Sequence, residues 1–176
     1  KPMKKALKGL EKGWRAFHGT LPLPVRRIVP PGVPCATARS YLEYKAMFDL
    51  TPDDLTGSVL DCNGGMSSLT AELNTQGVTA TAVDPAYSLN EEQMVTKVAD
   101  WLRESEEITS RNPDRYTWKW YGSAAKRNNL KGNAAASFLD DFRSRPDRYV
   151  AASLPELPFP DDSFDLVLCS HLLFTR

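Results

Sequence analysis

The stretch Ser58-Val-Leu-Asp-Cys-Asn-Gly-Gly-Met66 predicts how this chain folds. A short apolar strand over residues 58–61 runs into a tight turn with two glycines, and the turn opens a helix over 66–76. A second strand, Val78-Thr-Ala-Thr-Ala-Val-Asp84, follows and ends on a carboxylate. Strand, helix and strand in this order predict a right-handed crossover between parallel strands. We therefore expect an α/β fold, a Rossmann-like three-layer sandwich around a mainly parallel sheet.

The same turn has the features of a nucleotide-type cofactor site. Gly64 and Gly65 remove the side chains that would block a ligand, and the next helix offers unpaired amide groups at its N-terminus. Asp61 is placed to accept from a ligand ammonium group, and Asp84 to accept two hydrogen bonds from ribose hydroxyls. Structural alternatives exist, since Asp61 can hold the amides of the turn and Asp84 can cap a helix that begins at Pro85.

The rest of the chain divides into an N-terminal arm and one domain. Residues 1–36 predict a basic amphipathic helix and a proline-rich linker, and residues 37–176 the Rossmann-like domain with a helical insertion at about 90–148. The predicted helices outside the turn region cover 37–50, 90–109 and 134–143. The third and fourth strands are predicted at 149–152 and 164–174, the fourth as an apolar run covered on both faces.

Charge is uneven along the chain although its formal net charge is zero. Residues 1–27 carry eight lysines and arginines against Glu11 alone. A basic arm on an acidic body suits nucleic acid, an acidic lipid surface or an acidic partner, or else it is a solvated tail. A second mixture of aromatic and basic residues, Tyr116-Thr-Trp-Lys-Trp-Tyr121, either stacks on single-stranded nucleic acid or packs over the core as a lid. No apolar run is long enough for a membrane span.

The three cysteines, Cys35, Cys62 and Cys169, have no paired spacing. This pattern predicts free thiols and a reducing, intracellular compartment, either the cytoplasm or an organelle reached after removal of a leader. With only two histidines in the chain, we predict no metal site.

A third block narrows the choice of cofactor. It reads Ala152-Ser-Leu-Pro-Glu-Leu-Pro-Phe-Pro-Asp-Asp-Ser-Phe-Asp-Leu-Val-Leu-Cys-Ser170. It resembles the third and fourth motifs of class I S-adenosylmethionine-dependent methyltransferases. With the glycine turn and Ala82-Val-Asp-Pro85, three motifs stand in the order of that family. The resemblance spans residues 37–174 apart from the insertion, and it implies S-adenosylmethionine as the cofactor.

The resemblance also implies a role for each matching residue. Asp61 and the backbone of residues 63–65 would hold the methionine part of the cofactor, and Asp84 would hold the ribose. Residues 153–154 would contact the adenine edge, and residues 169–171 would line the mouth where the methyl group leaves. The helix before strand one, with Arg39, Tyr41 and Tyr44, closes over the cofactor in many relatives, although core packing explains the tyrosines equally well. The implied cofactor-binding residues are Asp61, Asn63, Gly64, Gly65, Asp84, Ser153, Leu154 and Ser170.

Three departures from the family pattern keep a second function open. Asn63 replaces a glycine, Ser153 replaces a frequent aspartate, and the sheet is truncated after its fourth strand, which predicts a bare apolar edge. The short sheet fits a fragment, a half domain completed by a partner chain or by self-association through that edge, or a degenerate relative.

The function expected from these observations is methyl transfer from S-adenosylmethionine to an unidentified acceptor. The alternative is a non-catalytic module that acts in binding or assembly, and a nicotinamide-dependent oxidoreductase is a weaker rival. His171 is the candidate general base, with a structural role as its alternative.

Overall fold

A computed structural model describes residues 37–116 and 118–170 of the chain. Their centre is a four-stranded sheet in the order β3-β2-β1-β4, and all its strand pairs are parallel. The predicted α/β class and parallel sheet are thereby confirmed. The predicted N-terminal helix and linker, Cys35 and His171 lie outside the described residues. The strands are β1 (Val59–Cys62), β2 (Ala80–Val83), β3 (Tyr149–Val150) and β4 (Leu166–Cys169).

The described ranges contain five α-helices in addition to the sheet. The first is shorter than the predicted 37–50, because Ser40 caps its N-terminus in a capping box with Glu43 and Asp49 ends it in a left-handed conformation. The third helix begins after its cap Asn90 and ends before Asn112, close to the predicted bounds. The helices are α1 (Tyr41–Phe48), α2 (Leu69–Thr75), α3 (Glu91–Arg111), α4 (Trp118–Tyr121) and α5 (Ala124–Ser144).

The helical insertion is more regular than the sequence predicts. The expected helix over 134–143 is the second half of α5, which already begins after its cap Ser123. The first half of α5 is mostly polar and half-exposed, so it carries little of the apolar periodicity that identifies a helix in sequence. The second half packs against α3 and buries Ala134, Ala135 and Phe138.

The two faces of the sheet are covered differently. Side chains of one face, among them Val59, Ala80 and Ala82, contact the cores formed with α1, α2, α3 and α5. The opposite face, with Leu60, Cys62 and Val83, contacts the loop that joins β3 to β4. Within the described ranges the helices therefore lie on one face, and a loop with Phe159 and Phe164 covers the other.

The fourth strand lies at an edge of the described sheet, as the sequence predicts. It pairs with β1 alone in this part of the chain. The expected cover on both faces is wrong at Val167, which is 48% exposed, whereas its neighbour Leu168 is buried. Residues 171–176 of the predicted strand lie outside the described residues.

Two features are absent from the described residues. Among their helices, none is long and apolar enough to cross a membrane. In the same ranges no group of histidine, cysteine and carboxylate side chains is placed to hold a metal ion. Cys62 and Cys169 lie on neighbouring strands in register with each other, and neither is in a disulfide.

Candidate cofactor site

The turn after β1 needs its unusual residues for steric reasons. Asn63 has φ 59° and Gly65 has φ 56°, both left-handed, and asparagine and glycine adopt this conformation at the least cost. A side chain at Gly64 would place its Cβ 2.7 Å from the Tyr87 hydroxyl and 3.0 Å from a carboxylate oxygen of Asp61. The substitution of asparagine for the usual first glycine therefore leaves the turn intact, while Gly64 allows no side chain.

Asp61 lies at the end of β1 and is almost completely buried. Its Oδ1 accepts a hydrogen bond of 2.7 Å from the Tyr44 hydroxyl, and its Oδ2 accepts one of 2.9 Å from Ser67 Oγ. Burial raises the pKa of Asp61 to about 6, although both hydrogen bonds act in the opposite direction. Asp61 therefore supplies a buried acceptor beneath the turn whose charge changes near neutral pH.

Asp84 follows β2 and contacts the glycine turn directly. Its Oδ2 accepts from the Gly65 backbone N–H at 3.2 Å, and its Oδ1 accepts from the Ala86 N–H at 2.9 Å. Partial burial raises the pKa of Asp84. The predicted capping role is thus present at the helical turn Pro85–Ser88. Each carboxylate oxygen retains a second lone pair, so these contacts leave capacity for ligand hydroxyls.

The segment before α1 lies against the start of α2. The Met66 N–H donates to the Thr37 carbonyl at 3.3 Å, and the Ser68 N–H donates to the Arg39 carbonyl at 2.9 Å. In return, Ser68 Oγ accepts from the Tyr41 N–H at 3.1 Å. These three bonds place the first turn of α1 beside the glycine turn.

The remaining predicted residues divide into two groups. Ser170 is buried beside Tyr44, with their hydroxyl oxygens 3.4 Å apart, so it belongs to the same cluster as Asp61. Ser153 and Leu154 are exposed in the loop after β3, where Ser153 forms an isolated bridge with Glu156. That loop begins next to Asp84, whose backbone N–H donates to the Val150 carbonyl at 3.2 Å.

Comparisons with known proteins add evidence from outside the chain. The sequence model of a family described as "Methyltransferase domain" matches residues 118–175. An uncharacterized protein of Methanocaldococcus jannaschii is 28% identical over 136 residues, which is 77% of this chain and 62% of that protein. The chain thus spans less than two thirds of that relative's length. No solved structure gives a significant match.

The family match covers the Leu-Pro-Phe-Pro block and β4, and the sheet is all parallel with the strand order 3-2-1-4. Residues 118–175 thus match the methyltransferase domain family, and the parallel α/β sheet is consistent with a Rossmann-like methyltransferase fold. Asp61, Gly65 and Asp84 lie outside the matched residues, so any role proposed for them depends on the contacts given above.

The roles of several residues of the candidate site are not evident from the sequence. Ser67 follows the two glycines and bonds Asp61, and its place at a helix start is the signal that could have found it. The Tyr87 hydroxyl donates to the Gly65 carbonyl at 2.8 Å, and no local pattern points to it. The sequence explains Tyr44 equally well by core packing, and the structure shows that its hydroxyl donates a hydrogen bond to Asp61.

A buried ion pair connects α1 to the helical insertion. Lys131 Nζ of α5 is 2.5 Å from Glu43 Oε1 of α1, and both side chains are nearly inaccessible to solvent. The Tyr121 hydroxyl of α4 donates to the same oxygen at 2.7 Å. The aromatic and basic cluster that the sequence singles out therefore packs, through Tyr121, against the helix before β1.

A cleft of about 280 Å³ lies between α3 and α5. Gly132 contributes an open stretch of its wall, since a Cβ there would meet nothing within 4 Å. The cleft is lined by Leu102, Ser105, Glu106, Asn128, Asn129, Lys131 and Gly132.

Proposed function

We propose that this domain binds S-adenosylmethionine at the turn after β1 and transfers its methyl group to an acceptor. The observation that carries the proposal is the position of Asp84, whose carboxylate lies against the Gly65 amide at the carboxyl ends of two neighbouring parallel strands. Ligands of open parallel sheets bind at this end, where the strand order reverses. The order β3-β2-β1-β4 places the reversal between β1 and β4.

The residues present fit this cofactor chemically. Gly64 lets the turn pack closely against Tyr87, and Asp84 has acceptor capacity for two ribose hydroxyls. Asp61 supports the turn from below and offers a negative charge to the amino group of the cofactor. When bound, S-adenosylmethionine supplies an activated methyl group on a sulfonium, so the chain's own task is to orient the acceptor and exclude water.

The acceptor is the open part of this proposal. We place its site above the carboxyl ends of β1 and β4, next to Ser170 and beneath the helical insertion. His171 directly follows Ser170, and we retain it as the candidate base. The basic arm of residues 1–27 suits an acceptor or partner that carries phosphate, such as nucleic acid.

A second candidate function is supported by a specific observation. Both oxygens of Asp84 and both of Asp61 already accept hydrogen bonds from the protein itself. A degenerate module that has lost its cofactor would satisfy its carboxylates in this way and would use the β4 edge or the basic arm for assembly. The two candidates differ in one property, the binding of the cofactor.

Calorimetric titration with S-adenosylhomocysteine, beside NAD as a control, tests the proposal. We expect micromolar binding of S-adenosylhomocysteine alone. Binding of NAD instead would favour the oxidoreductase, and no binding of either would favour the assembly module. The matched variants are Asp84→Asn, which retains an acceptor for the Ala86 amide, and Asp114→Asn at an exposed site.

Asp84→Asn should weaken binding by about 10- to 100-fold, the usual effect of losing hydrogen bonds to a charged group. Asp114→Asn should leave the affinity unchanged. Equal affinities of the two variants would exclude Asp84 as the ribose ligand.

A further inference from the structure

Glu43 joins the helical insertion to the helix before β1. Its Oε1 accepts from Lys131 Nζ and the Tyr121 hydroxyl, and its Oε2 accepts from the Ser40 N–H at 2.8 Å and from Ser40 Oγ at 3.1 Å. The side chain of Glu43 is fully buried and Lys131 is 6% exposed. A buried carboxylate with these four donors is well satisfied only while the lysine carries its charge.

The residue that follows Glu43 in α1 contacts the candidate cofactor site. Tyr44, the next residue, donates to Asp61 at 2.7 Å. Just before the cap Ser40, the carbonyl groups of Thr37 and Arg39 accept from the first amides after the glycine turn. A displacement of the first turn of α1 would therefore move a donor to Asp61 and two acceptors of the turn backbone together.

We propose that Lys131 is a positioning residue for cofactor binding, which acts through Glu43 to hold the first turn of α1 on the glycine turn and so makes affinity depend on the ion pair at the insertion. This inference rests on the proposed function, since it concerns the same cofactor site. On this proposal the helical insertion contributes to cofactor binding, in addition to any contact that it makes with an acceptor.

The charge of Lys131 can change in an accessible pH range. Burial lowers its pKa to about 8, against the opposing effect of Glu43, and the charges of Arg39 and Arg127 act in the same direction as burial. Glu43 itself stays ionised, with its pKa lowered by Lys131 and its other donors in spite of burial. Tyr121 of α4 also faces the pair, and Glu106 of α3 lines the cleft that Lys131 shares, which gives solvent a route for proton exchange.

The first experiment measures S-adenosylhomocysteine affinity between pH 6.5 and 9.5 for the wild type, Lys131→Met and Lys131→Arg. We expect about tenfold weaker binding for Lys131→Met at pH 7, an ordinary size for a coupling between contacting groups. Wild-type affinity should fall as pH rises through 8, while Lys131→Arg, whose charge persists, should keep its affinity. The amino group of S-adenosylhomocysteine titrates equally in the experiments with all three proteins. Differences between their pH curves therefore report the charge of Lys131.

A double variant separates the proposed role from simple instability. Lys131→Met with Glu43→Gln removes both buried charges, so it should bind more tightly than Lys131→Met alone. Parallel pH curves for the wild type and Lys131→Arg, or unchanged affinity in Lys131→Met, would overturn the proposal.

A readout without ligand keeps this inference distinct from the proposed function. Hydrogen exchange at the amides of Met66 and Ser68 should be faster in Lys131→Met than in the double variant. If the wild type fails to bind S-adenosylhomocysteine, the proposed function fails, whereas the exchange result still tests the coupling. Equal exchange in the two variants would disprove that coupling.

Discussion

Asp61 shows at the scale of one residue how a site can reduce stability. Its carboxylate is buried between Tyr44 and Ser67, and burial raises its pKa from 3.8 to about 6. Because the folded state then binds a proton more tightly than the unfolded state, the folded state loses stability as pH rises through 4–6. Above that range the buried charge lowers the free energy of unfolding by an amount that no longer changes with pH.

Asp61→Asn should remove this cost while preserving a similar shape. Between pH 4 and pH 7, we expect the free energy of unfolding of the variant to gain about 2–3 kcal/mol relative to that of the wild type, the value of a shift of this size. Urea denaturation at both pH values measures it. A wild-type pH dependence equal to that of the variant would show that Asp61 titrates normally.

Gly64 is constrained by its neighbours rather than by its own backbone. A methyl group there would lie 2.7 Å from the Tyr87 hydroxyl and 3.1 Å from Ala82 Cβ. Gly64→Ala should destabilise the domain by about 1–3 kcal/mol, as overpacked cores do, and abolish S-adenosylhomocysteine binding. Thermal unfolding and titration check both effects, and a variant of wild-type stability would refute the steric argument.

At the scale of one element, the helix α5 contains a glycine that has room for a side chain, unlike Gly64. Gly132 lies inside this 21-residue helix, and a methyl group at its Cα would have no neighbouring atom within 4 Å. Gly132→Ala should therefore stabilise the domain by about 0.5–1 kcal/mol, because alanine loses less backbone entropy in a helix. Denaturant unfolding measures the gain, and a loss of stability would mean that the cleft wall has no room for the methyl group.

At the scale of the whole molecule, the β4 edge of the described sheet carries an exposed apolar side chain. Val167 is 48% exposed on a strand that has a neighbour on one side only within the described residues. Apolar edges of this kind favour pairing between chains, and a lysine opposes it. Val167→Lys should lower self-association in sedimentation equilibrium. Val95→Lys, at a 38% exposed site on α3, is the control, and equal association of the two variants would exclude the edge.

Local sequence patterns predict those parts of the fold that depend on a local physical constraint. The alternation of strands and helices around residues 58–84 predicts the parallel sheet, because a short crossover allows few topologies. Asn63 and Gly65 mark the turn because few residues tolerate positive φ. The start of α5 is not predicted, because a polar, half-exposed helix has little apolar periodicity.

The amino-acid sequence thus determines the fold class, the glycine turn and the two acidic residues at the strand ends, since these depend on local chemistry and on the order of elements. Tertiary structure alone decides that Tyr44 and Ser67 bond Asp61. It also decides that Tyr87 bonds the turn at Gly65, and that Lys131 meets Glu43 across 88 positions. Hydrogen bonds between distant residues depend on how helices pack on the sheet, and no local periodicity carries that information.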